Sequence, residues 1–219
     1  MSPNTVASYC SDIEKFAVWF DGPLTDVGPE DVAGYLSSLV TLEKRSQARI
    51  LSSLRSFYGW LVLEGAVEDN PCDLVDSPKL GRYLPDVLSI EEVEAMIESV
   101  DTSSWQGMRN RALLEILYGC GLRVSELTAL RLSDLFFGEG YIRVIGKGDK
   151  QRLIPISGVA RERISLYKDK RPRIHSGEDT LFLNNRGKRL TRVMIFTILK
   201  QACQRAGITK KISPHTLRH

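Results

Sequence analysis

The side chains of this sequence that could act on a phosphodiester are two arginines, a lysine and a histidine. Arg123 lies where a glycine-rich break turns into a predicted helix start, and Glu126 follows it one helical turn later. Lys147 lies on a Gly-Lys-Gly-Asp turn, and His215 and Arg218 are three positions apart. Two permanently charged forked cations, a proton donor and a group that titrates near neutrality suit a reaction in which charge develops on phosphoryl oxygens and a leaving oxygen needs a proton.

Each of these signals also has a purely structural interpretation when it stands alone. An Arg-x-x-Glu pair is usually a salt bridge on a helix surface, and glycine- and lysine-rich turns are common solvated hairpin tips. The glycines beside Lys147 let the turn approach a backbone closely, so that this lysine could enter a groove and protonate a departing 5′ oxygen. Lys150 and Arg152 add charge to the same hairpin and are predicted to hold a DNA duplex.

Charge is distributed unevenly along the 219 residues. Residues 1–80 contain 6 Lys and Arg against 12 Asp and Glu, whereas residues 81–219 contain 24 against 15. The basic second part indicates a polyanionic partner, although a merely solvated basic surface would give the same counts.

Basic residues of the acidic first part gather on one predicted helix. The four predicted contacts to DNA phosphates there are Lys44, Arg45, Arg49 and Arg55. The alternative is that they are ordinary neighbours on a solvated helix face.

Cysteine and histidine usage argues against several classes of protein. The four cysteines are scattered without a Cys-x-x-Cys pair, and the three histidines are dispersed. These counts disfavour a disulfide framework, a zinc site or a metal cluster, and fit a reducing cytoplasm. No run is long and apolar enough to cross a membrane, and the N-terminus lacks a signal-peptide pattern. We therefore expect a cytoplasmic protein without a metal.

Helical spacing of apolar residues dominates the first part of the chain. Helices are predicted from Pro3 to Gly22, from Pro29 to about residue 39, and over 44–64. Prolines then bias residues 77–86 towards an extended linker. The predicted organisation is a helical domain over 1–76, a linker over 77–86 and a second domain over 87–219.

The second domain mixes helices with a small antiparallel sheet. Strands over 141–145 and 151–156 flank the Gly-Lys-Gly-Asp turn and form a predicted hairpin, and residues 180–183 are predicted to add an edge strand. Predicted helices begin at Ser89, span 107–119, begin at Arg123, and span 158–171 and 191–206. The fold class is mainly α.

Three motifs carry a resemblance to a known family. Gly-Leu-Arg-Val-Ser-Glu-Leu, Val-Ile-Gly-Lys-Gly-Asp-Lys-Gln-Arg and Ser-Pro-His-Thr-Leu-Arg-His, in this order and at these separations, resemble the motifs of the tyrosine recombinases (phage integrases), in particular the Xer type. The resemblance implies a SAM-like core-binding domain and a mainly helical α+β catalytic domain of the DNA breaking-rejoining type, closing as a C-shaped clamp around a double-stranded recombination site. It also implies a homo- or hetero-tetramer on DNA and no cofactor, since a covalent protein–DNA link conserves the bond energy.

The resemblance assigns a role to each motif residue. In the family a tyrosine attacks the scissile phosphate and forms a 3′-phosphotyrosyl link. Arg123 and Arg218 would stabilise the transition state, while Lys147 would act as general acid. His215 would assist proton transfer, and Glu126 would support the site.

One part of the family pattern has no match in this sequence. All seven tyrosines precede His215, and none matches the position of the nucleophile. The expectation is a shortened recombinase, engineered or natural, that binds DNA without cleaving it and assembles weakly because the family's terminal helices are missing.

Other functions compete with this interpretation. Xer-like chromosome-dimer resolution is favoured, but a transposon or integron integrase would have a similar sequence. A non-catalytic DNA-binding accessory fragment would use the same clamp. A metal-dependent nuclease would need a cluster of carboxylates, and no convincing triad is present.

Overall fold

The computed structural model describes residues 3–79, 86–172, 179–210, 212–214 and 216–218, with Pro3, Asn4, Lys147 and Arg218 described through their backbone. The chain divides into two compact units, Met1–Tyr83 and Leu84–His219. No helix within the described ranges has the length and apolar character needed to span a membrane.

Within residues 3–79, the first unit contains three α-helices and a short 3-10 turn. These are α1 (Pro3–Phe20), α2 (Pro29–Ser38) and α3 (Lys44–Leu63), with the 3-10 turn at Leu24–Asp26. The helices lie where apolar spacing predicts them. A proline in the first turn of α2 suits its start, and Gly65, with φ of 72°, follows the end of α3 in the left-handed conformation that favours glycine.

The core of this unit lies between the three helices. Phe16, Val32, Leu51 and Leu54 are fully buried. Tyr58, which the sequence pattern did not single out, is buried as well, and its hydroxyl is satisfied by donating to the Leu24 carbonyl at 3.1 Å.

The described part of the second unit contains five α-helices and one three-stranded antiparallel sheet. The elements are α4 (Ile90–Glu98), α5 (Trp105–Gly119), α6 (Val124–Ala129), β1 (Leu135–Phe136), β2 (Tyr141–Ile145), β3 (Gln151–Pro155), α7 (Gly158–Lys170) and α8 (Arg192–Arg205). As the sequence indicates, Ser89 caps α4: its hydroxyl accepts from the Glu92 amide at 3.2 Å, and its own amide donates to the Glu92 carboxylate at 2.7 Å.

The sheet has the order β1-β2-β3, so that the predicted hairpin forms its centre and one edge. The prediction of an edge strand over 180–183 is wrong. Thr180 and Leu183 each form only an isolated bridge, to Arg131 and Arg189 respectively. The apolar run from 181 to 183 is buried in the core instead. The third strand is β1. With only two residues, it is too short to be recognised from alternating apolar and polar residues.

Candidate active site

Arg123 occupies the N-cap position of α6. Gly121, with φ of 56°, lets the chain turn sharply between α5 and α6. The Arg123 amide donates to Glu126 Oε2 at 2.7 Å, and its guanidinium donates to Glu126 Oε1 at 3.0 Å. The Arg123 side chain is 55% exposed. One carboxylate therefore fixes both the backbone and the head group of this arginine while leaving the head group accessible to a ligand.

Glu126 is the buried centre of this arrangement. Its side chain is 3% exposed, and its two oxygens each accept a hydrogen bond of 2.8 Å from Arg152 of β3. Burial raises the pKa of Glu126, but hydrogen bonds from Arg152 and from the amide and guanidinium of Arg123 outweigh it and bring the pKa to about 2. The carboxylate is thus ionised at neutral pH and serves two arginines at once.

The hairpin tip that carries Lys147 lies directly beside this ion pair. The Gly146 amide donates to the Lys150 carbonyl at 2.8 Å, and residues Lys147–Asp149 form a 3-10 turn. A Cβ placed on Gly146 would lie 3.3 Å from Arg152 Nη1 and 3.6 Å from Glu126 Oε1. The backbone immediately before Lys147 therefore packs on the Glu126–Arg152 pair.

The third motif forms a 3-10 turn over Thr216–Arg218. The Ser213 amide donates to Thr216 Oγ1 at 2.8 Å, and this hydroxyl donates back to the Ser213 carbonyl at 2.6 Å. Leu217 is 5% exposed and belongs to the same core cluster as α5. The turn is thus anchored on both sides of His215, which lies outside the described residues. That His215 and Arg218 meet Arg123 at one phosphate remains a prediction.

Two protein-family models match this chain. The model of the "Phage integrase family" matches residues 86–219, and that of the "Phage integrase, N-terminal SAM-like domain" matches residues 1–65. A tyrosine recombinase XerD of Listeria innocua is 39% identical over 100% of this chain and 77% of its own length. The chain belongs to the tyrosine recombinases of the phage integrase family. The resemblance inferred from three motifs is confirmed, and by family the chain is a recombinase enzyme.

Solved structures of recombinases share the fold. The XerH site-specific recombinase bound to palindromic difH substrate matches with a TM-score of 0.83 at 22% identity, over 98% of this chain and 66% of that one. A lambda integrase tetramer bound to a Holliday junction matches with a TM-score of 0.76 at 20% identity, over 100% and 66%. The predicted fold class, a SAM-like helical domain with a mainly helical catalytic domain and a small antiparallel sheet, is confirmed.

The four basic residues predicted for DNA contact in the SAM-like domain differ in their surroundings. Lys44 and Arg45 are exposed at the start of α3. Arg49 forms an ion pair with the buried Asp12 of α1. The Arg49 guanidinium therefore has an ion-pair partner within the fold, whereas the side chains of Lys44 and Arg45 are exposed and accessible to a phosphate.

Arg55 lies further along α3 and forms hydrogen bonds with the chain segment that follows this helix. It donates to the carbonyls of Cys72 at 3.2 Å and Val75 at 2.7 Å, and to the Ser77 hydroxyl at 3.1 Å. Residues 71–74 form a hydrogen-bonded turn. Three intramolecular bonds make Arg55 the weakest of the four candidates for a phosphate contact.

A basic loop of the recombinase was missed by sequence reasoning. Residues 180–219 hold nine Lys and Arg and no Asp or Glu. Arg186, Lys188 and Arg192 are exposed just before and at the start of α8. Arg189 donates to Thr128 Oγ1 of α6 at 2.9 Å, which holds this loop against the helix that begins at Arg123. Counting charge in shorter windows would have found this run, since the last carboxylate is Asp179.

Within the part of the chain that the structure describes, no group of three or more His, Cys, Asp and Glu side chains could hold a metal ion.

Proposed function

We propose that this chain is a site-specific DNA recombinase that acts on the scissile phosphate through Arg123, Lys147, His215 and Arg218. The observation that carries the proposal is the buried Glu126 carboxylate, which holds the exposed Arg123 guanidinium and packs against the start of the Lys147 turn. The motif that contains Arg123 and the turn that contains Lys147 therefore meet at the Glu126 carboxylate.

This arrangement suits phosphoryl transfer by the family's tyrosine. A guanidinium presents paired donors to the equatorial oxygens, where negative charge builds up in the transition state. A lysine on a hairpin tip can reach the 5′ oxygen and donate the proton it needs on leaving. His215 would assist proton transfer, and Arg218 would supply the second forked cation.

We propose double-stranded DNA carrying a recombination site as the partner, bound by a tetramer. The named complexes of the similar proteins with difH substrate and with a Holliday junction support this. The exposed cations Arg186, Lys188 and Arg192 lie on the loop that Arg189 holds against α6, where they would meet the phosphates beside the scissile one.

The biological setting that we propose is Xer-type chromosome-dimer resolution in the cytoplasm. Identity of 39% to a XerD recombinase over the whole chain supports this setting over phage-type integration. The free thiols of Cys10 and Cys120, which are not fully buried, suit a reducing compartment. We retain the division into a core-binding domain over 1–76, a linker over 77–86 and a catalytic domain over 87–219.

The proposal is tested by gel shift of the 219-residue chain with a palindromic duplex and a scrambled duplex at two salt concentrations. We expect salt-sensitive binding that prefers the palindrome, and weaker binding by Arg123→Gln and Lys188→Gln. Lys15→Gln, on α1, is the control. Equal affinity of wild type for both duplexes would contradict site-specific recognition, and salt-insensitive binding would contradict phosphate contacts.

A denaturing gel of the same mixtures tests the assignment of residues. Every tyrosine of the sequence precedes His215, and Tyr58 and Tyr167 are fully buried. We therefore expect no covalent adduct from these 219 residues. An adduct would identify one of the seven tyrosines as a nucleophile and overturn the positional assignment.

A further inference from the structure

We propose that Arg152 is a positioning residue for Lys147. Its charge alone would instead suggest a contact to DNA. The inference rests on the proposed function of Lys147, since it concerns how that lysine is placed. Nothing in the charge pattern distinguishes Arg152 from Lys150, its neighbour on the hairpin. The difference lies in what the two side chains meet.

Both terminal nitrogens of Arg152 are already engaged. Nη1 donates to Glu126 Oε1 and Nη2 to Glu126 Oε2, each at 2.8 Å, which is the parallel two-bond geometry of a strong arginine–carboxylate pair. Lys150, by contrast, is exposed. A phosphate that drew the Arg152 guanidinium away from Glu126 would break both bonds.

Breaking these two bonds would leave the negative charge of the buried Glu126 carboxylate with fewer hydrogen-bond donors. Its side chain is 3% exposed, and Arg123 would supply its remaining charged partner. A buried charge that loses a partner is strongly destabilising, because the interior replaces little of the lost solvation. Arg152 is therefore held in the fold by the carboxylate that also orients Arg123.

The pair anchors the hairpin at the point where its regular pairing ends. Arg152 lies opposite Val144, and the last paired residues are Ile145 and Gln151. Beyond them the tip contains two residues with positive φ, Gly148 at 75° and Asp149 at 58°. A tip of this kind has weak conformational preferences of its own, so its placement depends on the anchor beneath it.

Arg143 provides a matched control on the same sheet. Its side chain is 35% exposed and pairs with the Asp134 carboxylate, which is 5% exposed, at 2.8 Å. The corresponding values for Arg152 and Glu126 are 36% and 3%, at 2.8 Å. The two pairs are alike in burial and distance, but only the Glu126–Arg152 pair lies beside Gly146, whereas Arg143 pairs with Asp134, which precedes β1.

Amide hydrogen exchange without DNA tests the anchoring directly. In Arg152→Gln and Arg152→Lys, we expect exchange of the Gly146 amide to accelerate about tenfold, since one ammonium cannot replace a two-bond fork. Arg143→Gln should leave Gly146 unchanged even where it lowers the unfolding midpoint equally. Unchanged Gly146 exchange in Arg152→Gln would overturn the proposal, as would an equal change in Arg143→Gln.

DNA affinity then separates positioning from contact. If Arg152 acts through Lys147, Arg152→Lys should weaken binding as much as Arg152→Gln, by about fivefold. Adding Arg152→Gln to Lys147→Gln should have almost no further effect, whereas Lys150→Gln should add its full effect to Lys147→Gln. Full affinity in Arg152→Lys, or additivity with Lys147→Gln, would make Arg152 a DNA contact. If wild type fails to bind DNA, the proposed function fails, while the exchange experiment still decides whether Arg152 holds the tip.

Discussion

Lys210 Nζ lies 2.6 Å from Glu92 Oε2 and joins the segment after α8 to the first turn of α4. The same ammonium donates to the Val87 carbonyl at 3.1 Å. Glu92 also caps α4 by accepting from the Ser89 amide. One carboxylate thus serves a helix start and the chain that leads to the third motif.

Replacing this lysine should loosen the segment without unfolding the domain. In Lys210→Met we expect faster exchange of the Ile208 amide, which donates to the Cys203 carbonyl at 2.9 Å. The unfolding midpoint should change little, because the two side chains are 39% and 31% exposed and solvent screens the pair. Lys200→Met, an exposed substitution on α8, is the control. Equal exchange in both variants would show that the pair does not hold the segment.

The hydroxyl of Thr216 should matter more than its small size suggests. Thr216→Val keeps the shape but removes the bonds that Ser213 and Thr216 exchange across His215. We expect loss of about 1 kcal/mol of unfolding free energy and weaker DNA binding, because the turn carries the third motif. Thr209→Val changes an exposed threonine of the same segment and should do neither. Normal stability and affinity in Thr216→Val would show that Leu217 burial alone sets the turn.

The sequence was sufficient for the helices because each of them carries strong local signals. Ser89 and Glu92 form the predicted capping box, and Thr191 caps α8 by accepting from the Met194 amide at 3.2 Å. The edge strand predicted over 180–183 failed for the opposite reason. A short apolar run indicates that a segment is buried. A buried segment does not need to pair with a neighbouring strand, so the run alone could not predict one.

Charged residues of the site were found from the sequence, but their partners were not. Arg152 and Arg55 both count as positive charge in any window, yet one binds Glu126 and the other binds backbone carbonyls. A partner 26 residues away, as Glu126 is from Arg152, leaves no periodicity to detect. The Arg123–Glu126 contact was predictable because it spans a single helical turn.

The buried Asp12 should be a main source of stability in the first unit. Its carboxylate accepts from Arg49, which also donates to Ser8, and from the Ser53 hydroxyl at 2.7 Å. Asp12→Asn removes the charge that these donors face, and we expect a loss of about 2 kcal/mol in urea unfolding. Ser8→Ala removes only an exposed contact of Arg49 and should change stability by less than about 0.5 kcal/mol. Similar midpoints for the two variants would show that the charge of Asp12 is not needed.

Glu126 should make the stability of the second unit depend on acid. Hydrogen bonds hold its pKa in the folded chain at about 2, below its ordinary value of 4.5. Because the folded pKa is the lower one, the stabilisation is fully present above pH 4.5 and is lost as the pH falls towards 2. Its size is roughly 3 kcal/mol.

Urea unfolding of wild type, Glu126→Gln and Arg152→Gln between pH 7 and pH 2 isolates this contribution. Glu126→Gln should be less stable than wild type at pH 7. The difference should shrink as the pH falls below 4.5, because the wild-type carboxyl binds a proton in the unfolded chain there but stays ionised in the folded chain until the pH is near 2. Arg152→Gln removes the strongest donors to Glu126, which raises its folded pKa and flattens the same acid dependence. The other carboxylates titrate alike in all three proteins, so they cancel in the differences. A difference between wild type and Glu126→Gln that stays constant from pH 7 to pH 2 would mean that the carboxylate stabilises the fold by its shape rather than its charge.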